Sequence, residues 1–205
     1  HAPLHLAVAR DALPAIETLL DAGASAFLEG PDGQTVITHA LARSREVVDL
    51  FLDPTVVNRV GPQGRTFLHI AASRDTPADV IVTAVRNGAE VNAVDKRGNS
   101  PLHVAMGNRL VGVARTLIEQ GSDIFLINGA GDSPLIVGAT ESIGYLAEVL
   151  DHDVAQRTGK QGETILHHFA AAGIVEAVDR LIEESFPVDV RNARRETPLH
   201  PAVTT

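Results

Sequence analysis

Apolar residues recur along the chain in bursts at i, i+3, i+4 spacing, as in Ile16-Leu19-Leu20, Val47-Leu50-Phe51, Val113-Leu117-Ile118 and Val178-Leu181-Ile182. That period marks one buried face of an amphipathic helix. Each burst follows a tetrapeptide that is itself repeated: Ala2-Pro3-Leu4-His5, Thr66-Phe67-Leu68-His69, Ser100-Pro101-Leu102-His103, Thr164-Ile165-Leu166-His167 and Thr197-Pro198-Leu199-His200. Two degenerate copies, Thr35-Val36-Ile37-Thr38 and Ser133-Pro134-Leu135-Ile136, fill the gaps and make the spacings 33, 31, 34, 33, 31 and 33.

Each tetrapeptide reads as a helix start. The Thr or Ser hydroxyl can cap free backbone N–H groups, and Pro at the next position has the helical φ and no donor to leave unpaired. Gly23, Gly88 and Gly121 stand where the second helix of a pair would end in a left-handed residue. Thr76-Pro77-Ala78-Asp79 has the spacing of a capping box opening a second helix. Turn chemistry follows each pair in Pro31-Asp32-Gly33, Gln63-Gly64, Lys96-Arg97-Gly98-Asn99, Gly131-Asp132 and Gln161-Gly162, predicting projecting fingers.

Seven registered copies of this pattern resemble the ankyrin repeat family over nearly the whole chain. The fold expected is an all-α ankyrin-repeat solenoid of stacked helix-turn-helix units with β-turn fingers. It forms one domain over residues 1–205, with repeats starting near 2, 35, 66, 100, 133, 164 and 197 and the last incomplete. Residues 2–72 also overlay residues 100–170 at a shift of 98, where Gly23/Gly121, Phe27/Phe125, Arg59/Arg157, Gly61/Gly159 and Thr66/Thr164 agree. A duplicated three-repeat unit is inferred. Neither end is a finished repeat, so the chain reads as a piece of a longer protein, with any catalytic part outside it.

Composition narrows the chemistry. The chain is 44% apolar but only 3% aromatic, with no Trp and one Tyr, which suits many thin aliphatic layers better than one thick core. Without Cys there is no disulfide, thiolate nucleophile or cysteine zinc site. Neither a signal peptide nor a membrane span is visible. The net charge of −9 opposes a general affinity for nucleic acid. It is unevenly placed: the windows 29–34, 59–65, 94–99, 127–132, 157–163 and 191–196 hold nine Lys or Arg against six Asp or Glu, a net +3, so the remainder carries −12. Asp49, Glu119, Glu148, Asp179 and Glu183 put acid on the second helices, while Arg59, Arg65, Lys96, Arg97, Lys160, Arg194 and Arg195 fall on the fingers.

Five of the nine histidines, His5, His69, His103, His167 and His200, occur one per repeat. Packed helices lie about 8–10 Å apart, too far for successive imidazoles to share a metal at bonds of about 2 Å. The family resemblance implies a structural histidine that hydrogen-bonds locally. Asp151-His152-Asp153 and His167-His168 are the compact clusters, and both read as structural, as do Phe67 and Ile165 at the usual Pro position. Phe27 and Phe125 replace the Asn of Asn92 and are expected to pack between neighbouring fingers more than to anchor a partner. Phe169 stands where other copies carry Ala. No P-loop, HExxH, EF-hand, nucleophile elbow or dinucleotide fingerprint occurs, so no catalytic, cofactor or metal residues are assigned and the segment is not expected to be an enzyme.

The resemblance implies a protein–protein interaction module or scaffold that binds a macromolecular partner on its concave face. Its residues would be Asp32, Arg43, Arg74, Lys96, Arg97, Arg109, Asn128 and Lys160 at finger tips and the exposed side of first helices. The partner expected is another protein with an acidic face, not nucleic acid or membrane, met by a monomer in the cytoplasm, or in a host cell for a secreted effector. The alternative reading is a non-catalytic targeting domain of a larger enzyme or bacterial effector. End-to-end stacking of the unfinished repeats is a third.

Overall fold

The computed structural model describes residues 2–150 and 152–202. Its helices come in pairs: α1 (Pro3–Ala9) with α2 (Leu13–Asp21), α3 (Val36–Ala40) with α4 (Arg45–Phe51), and α5 (Phe67–Ala71) with α6 (Ala78–Arg86). There follow α7 (Pro101–Gly107) with α8 (Val111–Glu119), and α9 (Pro134–Glu141) with α10 (Ile143–Val149) and the short α11 (His152–Ala155). Last come α12 (Ile165–Ala171) with α13 (Val175–Glu183), and α14 (Leu199–Ala202). First helices stack in one row, α1 on α3, α3 on α5, α5 on α7, α7 on α9, α9 on α12 and α12 on α14. Second helices stack behind them, α2 on α4 and α6 on α8 on α10. The result is an all-α solenoid; among the described residues the only β pairing is two isolated bridges, Glu29 with Thr35 and Thr158 with Thr164, in the first and fifth fingers.

The local signals act as expected at most helix ends. Pro3, Pro101 and Pro134 open first helices. Thr35 Oγ1 accepts from the Thr38 N–H at 3.2 Å and Ser133 Oγ from the Ile136 N–H at 3.3 Å. Gly23, Gly88 and Gly121 take φ of +83°, +91° and +92° just past α2, α6 and α8. Thr76-Pro77-Ala78-Asp79 does not close as a capping box, a correction to the sequence expectation. Pro77 holds the N-cap position with no side-chain acceptor, so Thr76 lies one residue too early and donates back to the Ala71 carbonyl at 2.8 Å. Asp79 instead pairs with Arg45 of the preceding layer.

The 98-residue period is visible in the packing. Arg59 directs Nη1 and Nη2 to the Leu20 carbonyl near the C-terminus of α2, each at 3.2 Å. Arg157 directs Nη1 to the Ile118 carbonyl of α8 at 3.5 Å, so donor and acceptor both recur 98 residues on. These two arginines, expected among the finger charges, are helix C-terminal partners, where the exposed carbonyls and the negative end of the dipole favour a cation.

Buried Leu102, Met106 and Leu117 show no exposed surface in mid-stack. Phe169 is buried, 1% exposed, and lines a cleft of about 120 Å³ between α10 and α13, with Leu146, Ala177 and Leu181 around it.

Two outcomes are predicted from this packing. Leu102→Ala lowers the unfolding free energy by about 2–5 kcal/mol. Arg59→Ala costs about 1–2 kcal/mol by freeing the α2 terminus. Urea titration followed by circular dichroism measures both.

Candidate functional site

Three fingers are built by a short acidic or amide side chain folded onto its own backbone. Asp95 Oδ1 accepts from the N–H groups of Arg97 and Asn99 at 2.8 and 2.9 Å. Asn128 Oδ1 does the same for Ala130 and Asp132 at 2.9 and 3.0 Å, and Asn192 for Arg194 and Glu196 at 2.9 and 3.0 Å. Neighbouring fingers then join through single backbone bonds, Lys96 N–H to the Gln63 carbonyl at 3.0 Å and Gly129 N–H to the Arg97 carbonyl at 2.8 Å. Gly98 sits at that approach with φ +78°, and a Cβ there would lie 2.7 Å from the Gly129 nitrogen. Only glycine fits.

The repeated histidines bind the first helices to these fingers. Thr66 N–H donates to His69 Nδ1 at 3.1 Å, so the proton lies on Nε2, which donates to the Asn99 carbonyl of the next finger at 2.9 Å. Ser100 N–H, His103 and the Asp132 carbonyl repeat this at 3.0 and 3.1 Å, and Thr164 N–H, His167 and the Glu196 carbonyl at 3.1 and 3.0 Å. The reciprocal N-cap pairing is a capping box with His in place of Glu or Gln. Both ring nitrogens are committed, which leaves them no lone pair for a metal. Burial holds His69 and His103 below the ordinary imidazole pKa. His168 is also lowered by burial and stacks at 5.0 Å on Phe125. Asp151 of the Asp151-His152-Asp153 cluster lies outside the described residues.

Fingers and the exposed edge of the first helices share one face. His39 of α3 meets Asp32 of the first finger at 3.1 Å, and Arg74, just past α5, donates to Gln34 at 3.2 Å. The Gln34 N–H, donating to the Asp32 carboxylate, holds its pKa below the usual range. Lys96, Arg97 and Lys160 are exposed at finger tips, and Arg43 and Arg109 are exposed at the turns after α3 and α7. Arg43 is engaged, with Nε and Nη2 each 2.9 Å from the Asp11 carboxylate and Nη2 2.7 Å from the Ala9 carbonyl. Asn128 is half-buried, and its amide nitrogen donates to Asn99 Oδ1 at 2.9 Å, so it shapes the finger and presents little free surface.

Phe27 and Phe125 are buried, 5% and 8% exposed, in keeping with packing between fingers. A Cβ on Gly61 would come within 2.6 Å of the Phe27 ring. Sequence reasoning passed over three sets of residues. Arg10 occupies the register of Arg43 and Arg74. Val60, Val94 and Ile127 occupy one register of three successive fingers and stay 64%, 51% and 48% exposed. Asn58 and Asn92 each clamp the next layer: Asn58 takes the Gly88 carbonyl at 2.6 Å and the Glu90 N–H at 3.0 Å, and Asn92 the Gly121 carbonyl at 3.3 Å and the Asp123 N–H at 2.8 Å. Only alignment of the finger registers would have drawn these out of the sequence.

Comparison with known proteins agrees with this construction. The family described as ankyrin repeats, in three copies, matches residues 4–82 and 39–128. Neurogenic locus notch homolog protein 1 of Xenopus tropicalis is 32% identical over 145 residues, 69% of this chain and 6% of that protein. Palmitoyltransferase ZDHHC13 of Mus musculus is 28% identical over 184 residues, 84% of this chain and 29% of that protein. The chain therefore spans a minor part of either relative. The crystal structure of the ankyrin repeat domain of Bcl-3 superposes with a TM-score of 0.64 at 23% identity, covering 98% of this chain and 94% of that one. The chain belongs to the ankyrin repeat family. Ankyrin repeats are protein–protein interaction modules and in general not catalytic. Among the described residues no helix is long and apolar enough to cross a membrane.

The histidine links predict a pH dependence. An unfolded histidine titrates near about 6.5. Below that value the unfolded chain takes up protons that folded His69 and His103 resist, so their stabilisation is full above it and is lost as pH falls toward their depressed folded values. The urea midpoint should drop between pH 7.5 and 5. His69→Gln/His103→Gln should lower the unfolding free energy at pH 7.5 by about 1–2 kcal/mol per site, and flatten the dependence of the midpoint on pH. An equal slope in the double variant would contradict the assignment.

Proposed function

We propose that this stack holds a protein partner on its concave face, formed by finger tips and the exposed edge of the first helices. The observation that carries this reading is that the framework's polar groups are consumed internally while the face above them keeps unspent side chains. The histidines and the Asx residues of the fingers are committed to backbone, whereas Lys96, Arg97 and Lys160 stand exposed. Fingers tied backbone to backbone give those side chains fixed positions, which lowers the entropy lost on binding.

Charge sets the kind of partner. The finger windows carry a net +3 within a chain of −9, and Asp49, Glu119, Glu148, Asp179 and Glu183 are exposed on the second helices. An acidic protein surface is steered toward the fingers and away from the back. The net charge of −9 over the whole chain disfavours nucleic acid. The reading includes a monomer acting inside a cell.

A second reading is favoured by one relative. The likeness to a palmitoyltransferase over 84% of this chain supports the stack as the recognition part of a larger enzyme, with chemistry supplied elsewhere. The two readings agree on what this face does.

The test uses the intact chain as bait, identifies a captured protein by mass spectrometry and then measures its affinity for Lys96→Ala/Arg97→Ala/Lys160→Ala. Affinity should fall roughly tenfold or more, with an unchanged urea midpoint. Undiminished binding by the triple variant together with Arg43→Ala, Arg74→Ala and Arg109→Ala would move the site to another face.

A further inference from the structure

The first four repeats carry a row of arginines along one lip of the finger face. Arg10, Arg43 and Arg74 each lie eight residues after their repeat start at Ala2, Thr35 and Thr66, and Arg109 lies nine after Ser100. The row stops at Glu141 in the fifth repeat. Beside it runs a floor, a row of small residues at the ends of the first helices or just past them: Ala9, Ala42 and Ser73 one position before their arginines and Gly107 two before Arg109. Exposed Val60, Val94 and Ile127 stand at one register of three successive fingers. Arg74 reaches across toward the finger root, since its Nη2 donates to Gln34 Oε1 at 3.2 Å. Lip, floor and fingers therefore bound one groove.

The chain itself shows how a carboxylate seats on that lip. Asp11 lies against Arg43 with two contacts of 2.9 Å, a bidentate carboxylate–guanidinium pair. Among the described residues Arg10, Arg74 and Arg109 have no carboxylate in ion-pair range. Three charges of one sign, one per layer, thus await what Asp11 supplies to the fourth.

Their spacing selects the shape of the occupant. Stacked helices advance by about 8–10 Å per layer. A polyproline II segment has three residues per turn and rises about 3.1 Å per residue, or roughly 9 Å per turn. An acidic side chain at every third residue then falls on one edge, in step with Arg10, Arg74 and Arg109, while the one level with Arg43 meets a guanidinium that Asp11 already fills, and apolar side chains between them turn toward Val60, Val94 and Ile127. A floor without long side chains lets the peptide backbone come close.

We propose that the groove of repeats one to four binds an extended, polyproline II-like segment of a protein partner with an acidic residue at every third position and apolar residues between. This rests on the finger face being the binding face and adds the sequence and conformation that face reads.

The experiment titrates the full chain into a fluorescein-labelled decapeptide, Glu-Pro-Leu repeated three times and ended by Glu, and reads fluorescence polarisation. Saturable binding is expected, weakening as salt rises. Arg10→Gln/Arg74→Gln/Arg109→Gln should weaken it roughly tenfold or more, and Val60→Ser/Val94→Ser/Ile127→Ser should weaken it with little change in salt dependence. Arg74→Glu/Arg109→Glu should lose the acidic peptide and take up its lysine counterpart, which separates charge reading from misfolding. The proposal is overturned by no saturation at concentrations on the order of 1 mM, by equal binding of a shuffled peptide, by tighter binding of a helical peptide with Glu every seventh residue, or by an unaffected arginine variant. Hydrogen exchange on the bound chain tells the two failures apart. Protection of the fingers despite an unaffected arginine variant sinks the ladder and leaves the face, whereas protection confined to α2, α4, α6 and α8 removes both.

Discussion

Helices of four to nine residues cannot satisfy their own backbones, and this shortage organises the molecule. The first four N–H and last four C=O groups of any helix lack partners within it, so in α3 and α5, five residues each, nearly every peptide group is terminal. Caps within the layer supply some of the missing partners, and the neighbouring layer adds others. His69, His103 and His167 reach forward to the next finger, Asn58 and Asn92 reach forward to the next helix-end loop, and Arg59 and Arg157 reach back to the helix end of the layer before. A single layer would leave these groups unpaired, so stacking is a hydrogen-bonding requirement as well as a way to bury Leu102 or Leu117.

The same constraint divides the surface. Residues that serve the backbone are used up, and Asn128 and Arg43 show this at positions that look free in the sequence. What stays available is whatever the framework does not need: Lys96, Arg97 and Lys160 at the tips, Arg10 and Arg109 after the first helices, with half-buried Arg74 held by Gln34 alone, and Val60, Val94 and Ile127 on the fingers. Binding specificity in such a stack resides in positions that contribute little to folding, so it can change without loss of the scaffold.

That division also explains what was legible in the chain. Repeated Thr-Pro-Leu-His, the i, i+3, i+4 bursts and the helix-ending glycines are framework, enforced in every layer by the same local physics, and they announce the solenoid. The 98-residue period was legible too, although the role of Arg59 and Arg157 was not, because a cation near a turn looks the same in sequence whether it meets solvent or a carbonyl 39 residues away. Thr76-Pro77-Ala78-Asp79 misled because capping depends on which residue occupies the N-cap, and Pro77 displaced Thr76 by one position. Phe169 stands at an alanine position, and nothing local to it announced the cleft it lines between α10 and α13. The face residues were the hardest to read, since nothing in the framework dictates them and their meaning lies in alignment across layers.

Amide hydrogen exchange by NMR on the His103→Ala chain tests the dependence of each layer on its neighbour most directly. If layers complete one another's backbones, protection falls at Ser100 in its own layer and across the next finger at residues 128–132, while α1 to α4 keep their rates. Loss confined to the 100–107 helix, with the next finger unchanged, would contradict the account.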